Sequence, residues 1–267
     1  MIKEPSRSNV LGVGVSALNM PLAVDYLFQG ADQPGQAGFV TITGVHGVVE
    51  SQSDVELKKI HNRSYLTTPD GMPMVWIGWL NGLSHMDRVY GPDLMLEILA
   101  RSENSGHKHY LFGGSDGVVD LLVERLVRKF PQVNIVGKTT PPFRPLTDEE
   151  EEMLIGELAE KKPHFLWVGL STPKQERFMH DLFAKYPDLT KDWDHGLIML
   201  GVGAAFDFHA GLVKQAPYWM QRSGLEWFFR TCMEPRRLWR RYAVSNFYFL
   251  TRIFSQIMKI RNYPLLK

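Results

Sequence analysis

The chain has 267 residues, 44% hydrophobic and 22% charged, which suits one large α/β domain or a core with an appendage and excludes a disordered or fibrous chain. A single cysteine, Cys232, excludes a disulfide framework and a cysteine-based zinc site and fits a reducing compartment; no charged-then-apolar leader opens the sequence, so secretion is not expected, and no apolar run reaches the ~18 residues of a spanning helix. The net charge of +1 conceals a division: residues 1–211 carry 19 Lys and Arg against 27 Asp and Glu, whereas residues 212–267 carry 11 against 2.

In chain order, Phe39–Thr43 predicts a buried strand and Asp54–Arg63 a helix with Leu57 and Ile60 on one face. Tyr65–Thr68 reads as a short strand stopped by the turn residues Pro69, Asp70 and Gly71. A helix over Gly91–Ser102 precedes a strand, His109–Phe112, that ends in Gly113 and Gly114. A helix over Asp116–Phe130 and a strand over Val133–Val136 follow. Thr147–Lys161 predicts a charged helix, with Thr147 three residues before Glu150 in the spacing of a capping box. Phe165–Val168 is a strand, Pro173–Tyr186 a helix with proline in its first turn, and Leu197–Leu200 the last strand, closing in Gly201-Val202-Gly203. The tail reads as two or three helices, with Pro217 and Pro235 near helix starts. This β–α alternation predicts a mostly parallel sheet with helices on both faces, in which ligands bind at the carboxyl ends of the strands.

The loops at those ends carry the candidate chemistry. Gly12-Val13-Gly14, Gly113-Gly114 and Gly201-Val202-Gly203 allow backbone amides to approach a phosphate, but none completes G-x-G-x-x-G, which disfavours a nicotinamide dehydrogenase. Asp70 at a strand end reads either as a general base or as a turn aspartate bonded to its own backbone. Asp207 has apolar neighbours on both sides, which disfavours a solvated turn. Asp192-Trp193-Asp194 has a spacing used to hold a divalent metal in sugar-nucleotide enzymes, yet it precedes a strand instead of following one, so no metal is expected there. The nine histidines show no paired-ligand spacing, and Ser171 has no nucleophile elbow. Gln175 opens a helix after a strand, either facing the ligand edge or forming an ordinary first turn, and Arg88 precedes a turn where it could clamp a phosphate.

The basic, aromatic tail fits an anionic partner (a phosphate ligand, a membrane surface or nucleic acid) or docking on the acidic body. No nucleic-acid motif accompanies the charge, so nucleic acid is not an expected partner. Phe247, Leu250, Phe254, Ile257 and Met258 fall on one helical face, suited to a bilayer interface or to packing on the core or a neighbouring subunit. Deleting Ser245–Lys267 is expected to release the protein from anionic vesicles and leave a folded core.

Several of these segments occur together in a recognisable order. They are Thr67-Thr68-Pro69-Asp70-Gly71-Met72-Pro73, Arg88-Val89-Tyr90-Gly91-Pro92-Asp93-Leu94, Pro173-Lys174-Gln175-Glu176 and Gly201-Val202-Gly203-Ala204-Ala205-Phe206-Asp207, completed by Gly224-Leu225-Glu226-Trp227 and Glu234-Pro235-Arg236-Arg237-Leu238. On these motifs the chain resembles the bacterial WecG/TagA/CpsF glycosyltransferases, from about Asn9 to Tyr242. The resemblance implies a Rossmann-like core over residues 1–211 and a helical appendage over 212–267 that closes the active site and engages the membrane. It implies inverting transfer from a UDP-sugar, UDP-N-acetylmannosamine or a related hexose donor, to a polyprenyl-diphosphate-linked sugar in cell-surface polysaccharide synthesis. The place of action is the cytoplasmic, inner face of the membrane, bound peripherally.

By the same resemblance Asp70 is the general base and Thr43 the polar residue beside it. Arg88, Gln175 and Asp207 line the nucleotide-sugar pocket, and Arg230, Arg237 and Arg240 meet the diphosphates. Arginines can stabilise the leaving group without a metal, so no cofactor is expected. The expected partners are the UDP-sugar donor, the lipid-linked acceptor, an anionic membrane surface and a homo-oligomer. Two positions depart from the family pattern: Gly44 stands where asparagine is usual, and Gln215 opens the Gln215-Ala216-Pro217 segment where arginine is usual. Relatives with this variant act in exopolysaccharide pathways, and some transfer a plain hexose. The contrasting expectation is a non-catalytic membrane-assembly module that binds lipid diphosphate.

Overall fold

The computed structural model describes residues 4–266, with the side chains of Arg237 and Arg241 outside the described part. The chain opens with an antiparallel hairpin, β1 (Arg7–Val10) and β2 (Val13–Ser16). Leu11 and Gly12 turn it with φ of 53° and 86°, and Asn9 Oδ1 accepts from the Gly12 amide at 2.9 Å. Gly12 thus belongs to a hairpin turn and Val13 and Gly14 to β2, so this segment is not a phosphate loop before a helix.

Next come α1 (Met20–Ala31), β3 (Ala37–Thr43), α2 (Val45–Ser53), α3 (Val55–Arg63), β4 (Leu66–Pro69), α4 (Met72–Leu80) and α5 (Gly91–Ser102). They are followed by β5 (Lys108–Gly113), α6 (Val118–Lys129), β6 (Asn134–Thr139), α7 (Asp148–Lys161), β7 (Phe165–Gly169), α8 (Lys174–Lys185) and β8 (Leu197–Gly201). The last helices are α9 (Ala205–His209), α10 (Tyr218–Arg222), α11 (Glu226–Met233) and α12 (Pro235–Ile257). Strands β3 to β8 form one six-stranded sheet in the order β4-β3-β8-β7-β5-β6, flanked by helices, the Rossmann-like α/β class. The crossovers through α6, α7 and α8 are what allow β5, β6, β7 and β8 to pair in parallel. The capping box at α7 is present in full: Thr147 accepts from the Glu150 amide, and the Glu150 side chain accepts from that of Thr147.

The chain divides into two compact units. One comprises Pro21–Val40 and Gly91–Lys214. Its interior is aromatic, with Tyr110, Phe112, Phe165 and Trp167 fully buried and Phe112 stacked on Phe178 at 4.5 Å. The ends of β5 and β7 approach so closely that a Cβ at Gly113 (φ 138°) would collide with the Gly169 backbone. The other unit comprises residues 4–20, Thr41–Tyr90 and 215–266. Its core joins Val10, Leu11, Val13 and Val15 of the hairpin, Val48 of α2, Met74 and Ile77 of α4, and Phe249 and Ile253 of α12. Gln256 completes the join, accepting from the Leu11 amide and donating to the Asn9 carbonyl, each at 2.8 Å. A truncation at Ser245 therefore opens this core, so the expected folded remainder does not follow from the structure.

Candidate active site

Within the second unit, β3 and β4 end side by side, and the Asp70 amide donates to the Thr43 carbonyl at 3.1 Å. Thr43 is buried, and its hydroxyl meets His61 Nδ1 at 3.2 Å. Burial lowers the His61 pKa to about 4, so this ring is neutral at pH 7 and fixes the hydroxyl without adding charge. The Asp70 carboxylate lies against the bare backbone of Gly44, where a Cβ would sit 3.5 Å from Oδ2. Nothing from residue 44 covers the acid on that side.

Arg88 secures the other side. Its Nε donates to the Asp70 carbonyl at 2.6 Å, Nη1 donates to Gln221 Oε1 at 2.7 Å, and Nη2 is paired with the Glu226 carboxylate. The guanidinium lies over the Tyr90 ring at 3.9 Å, and the Tyr90 hydroxyl donates to Glu226 Oε1 at 2.8 Å. Burial, with the carboxylates of Glu226 and Asp70, drives the Tyr90 pKa far above its usual value, so the phenol stays protonated as a donor. Arg222 pairs with Asp87 at 2.6 Å, and the same Asp87 oxygen accepts from the Arg88 amide at 2.7 Å. The segment 87–90 thereby grips α10 and the start of α11, and Arg88 ties that grip to the peptide of Asp70.

Arg230 is half-buried on α11. Burial works against its charge, but Tyr242, Tyr90, Glu226 and Glu234 outweigh it and hold the pKa above the ordinary arginine value. Arg240 is exposed on α12; Arg237 belongs to the same helix, and its side chain lies outside the described residues. Thr43, Asp70 and Arg88 thus come together with Tyr90, Gln221 and Glu226. Sequence reasoning gave the last three no role, although Glu226 carried a signal as one of only two acids in a strongly basic tail.

Gln175 and Asp207 belong to the first unit, each after the carboxyl end of its strand. Gln175, in the first turn of α8, is 3% exposed and donates through Nε2 to the Gly201 carbonyl at 3.1 Å and to Glu176 Oε1 at 3.2 Å. Glu176 is 1% exposed and also accepts from Thr172 Oγ1 at 2.9 Å; burial raises its pKa above that of a free carboxyl. Asp207 lies in the first turn of α9, half-buried, and its carbonyl accepts from the Leu212 amide at 2.9 Å.

Asp192 and Asp194 sit elsewhere, before β8 instead of after it. With Asp32, Lys108, Lys162, His164 and His195 they line an open cleft of about 590 Å³ near the amino ends of β5, β7 and β8. His164 stacks on His195 at 3.8 Å and is held neutral, its pKa about 4, chiefly by burial. Among the described residues no three His, Cys, Asp or Glu side chains gather as a metal site.

The arrangement is a half-buried carboxylate at a strand end, its backbone held by a buried arginine, and a carboxylate so placed is a candidate to accept a proton from a hydroxyl. Comparison with known proteins identifies the family. The chain is 28% identical over 196 residues, 73% of its length and 71% of the relative's, to an N-acetylglucosaminyldiphosphoundecaprenol N-acetyl-beta-D-mannosaminyltransferase of Bacillus subtilis (strain 168). The model of the glycosyl transferase WecG/TagA/CpsF family matches residues 8–263. The chain therefore belongs to the WecG/TagA/CpsF family and is a glycosyltransferase.

Proposed function

We propose that the chain moves a sugar from a UDP-sugar, UDP-N-acetylmannosamine or a related hexose donor, to a polyprenyl-diphosphate-linked sugar, with inversion at the anomeric carbon. The acceptor hydroxyl oxygen attacks that carbon, its proton passes to Asp70, and the bond to the UDP oxygen breaks as UDP leaves. Arg230, Arg237 and Arg240 offset the charge that develops on the leaving diphosphate, and no metal is required. The observation that carries the reading is the placement of Asp70 at the end of β4, beside Thr43 and Gly44, with its own carbonyl anchored by Arg88.

The acceptor lies in a membrane, and the surface of α12 suits that setting. Phe249 and Ile253 are buried in the core, whereas Phe247, Leu250, Phe254, Ile257 and Met258 are exposed between Arg240, Arg252, Lys259 and Arg261. Among the described residues no helix is long and apolar enough to cross a membrane. An interfacial attachment on the inner face of the cytoplasmic membrane is the reading that fits an exposed apolar stripe flanked by cations.

The deciding experiment is turnover of radiolabelled UDP-sugars on a lipid-diphosphate-linked N-acetylglucosamine acceptor, run over a donor panel with and without EDTA. One donor should give lipid-linked product, and EDTA should leave the rate unchanged. No transfer from any donor, with retained binding of the lipid diphosphate, supports a non-catalytic module instead. Loss on chelation that manganese or magnesium restores contradicts the metal-free mechanism.

A further inference from the structure

Gln175 and Glu176 form a buried polar pair whose polarity is set by the protein. The Gly201 carbonyl is an acceptor only, so the amide nitrogen of Gln175 must face it. The second amide hydrogen goes to Glu176 Oε1. The amide cannot be turned over without setting its oxygen against the Gly201 oxygen. Gln175 Oε1 is consequently the atom left over, and it is buried without a hydrogen-bond partner among the described residues. It faces the turn after β8, where a Cβ at Gly203 (φ 51°) would stand 3.4 Å away. A Cβ at Gly201 would press on the same amide at 3.1 Å, so both glycines leave room for it.

A buried acceptor of this kind costs stability unless a donor reaches it. The diphosphate of a UDP-sugar, esterified at both ends, is fully ionised at neutral pH and has no hydrogen to give, whereas a base N–H, a ribose hydroxyl and a sugar hydroxyl do. We propose that Glu176 is a positioning residue that locks the Gln175 amide so that its carbonyl oxygen accepts a hydrogen bond from a hydroxyl or N–H of the nucleotide-sugar donor. This inference rests on the proposed donor class. It assigns Gln175 to the base, ribose or sugar and not to the diphosphate. Thr172 steadies the carboxyl of Glu176 by its own hydrogen bond. Burial raises the pKa of Glu176 above that of a free carboxyl, and either protonation state keeps an oxygen that accepts from the Gln175 amide.

The test uses the full chain, with UDP, UDP-glucose and UDP-N-acetylglucosamine titrated calorimetrically and donor KM and kcat measured where transfer occurs. Glu176→Met keeps the volume and removes the acceptor; it should weaken donor binding and raise KM by about tenfold or more, with kcat at saturating donor within about threefold. Glu176→Gln retains an oxygen for the Gln175 amide and should recover most of that affinity. Thr172→Val should weaken binding by a smaller factor in the same direction, and it keeps the test open if Glu176→Met does not fold. A loss shared by UDP and both sugars places the contact on the base or ribose; a loss confined to the sugars places it on the hexose. Unchanged binding in Glu176→Met and Thr172→Val overturns the inference while leaving the transferase reading intact, as does a Glu176→Gln protein of native Tm that binds no better than Glu176→Met. Failure of the unaltered chain to bind UDP or either sugar overturns both readings.

Discussion

The two units solve the problem of burying polar groups in opposite ways. Around Asp70 the charges are compensated internally: Arg88 engages the Asp70 carbonyl, Gln221 and Glu226, while Tyr90 donates to the same glutamate. At the carboxyl ends of β7 and β8 a buried amide and a buried carboxyl whose pKa burial raises have no cation beside them in the hydrogen bonds described, and Gln175 Oε1 and Glu176 Oε2 lack hydrogen-bond partners among the described residues. The difference is one of partnering. The charged cluster is tied to fixed partners, whereas the buried Gln175–Glu176 pair retains unused bonding capacity, the feature on which the proposed donor contact rests.

The comparison breaks most readily at Arg88. Arg88→Met strands the Glu226 carboxylate and the Asp70 carbonyl, and loss of one partner from a buried pair costs about 3–5 kcal/mol. A drop in Tm of roughly 6–15 °C is expected, with the double variant Arg88→Met/Glu226→Leu recovering part of it. A change below about 2 °C would mean that solvent screens the pair and that Arg88 is no strut.

Acid should act on both units through their neutral histidines. His61 and His109 have folded pKa values of about 4 and about 3, both depressed by burial from 6.5. Because the unfolded chain binds these protons first, stability present above pH 6.5 is lost as pH falls toward the folded values. Each ring forfeits about 2 kcal/mol by pH 5. Melting at pH 7.5 and pH 5 should differ by roughly 5–15 °C, and His61→Asn should narrow the gap; equal Tm at the two pH values rules the account out.

The smallest effect on folding concerns the outer face of α12. Phe254 is 61% exposed, so Phe254→Asp should shift Tm by under about 2 °C while releasing much of the protein from anionic liposomes in a sedimentation assay. Undiminished sedimentation of a Phe254→Asp/Ile257→Asp protein removes the membrane role of this face.

Much of this architecture was legible because it rests on local patterns. The β–α alternation gave the sheet, and the Thr147–Glu150 spacing gave the start of α7. The position of Asp70 after Pro69 placed it at a strand end. Helix α4 was not legible: Met72–Leu80 is apolar on nearly every side, so it has no helical period to read. The hairpin was hidden by Leu11, a residue of ordinary strand type in a left-handed turn conformation. Arg88 and Glu226 are separated by 138 residues, a pairing that only folding reveals. Glu176 looked like an ordinary acid in a helix's first turn, and nothing local distinguishes a solvated glutamate there from a buried one.

The central claim is that Asp70 takes the proton from the acceptor. Its most direct test is turnover by Asp70→Asn, which keeps the backbone amide and the carbonyl that Arg88 holds. The account predicts a fall in kcat of about 100-fold or more at native Tm, with UDP binding unchanged. A folded Asp70→Asn protein that transfers sugar at near wild-type rate contradicts it.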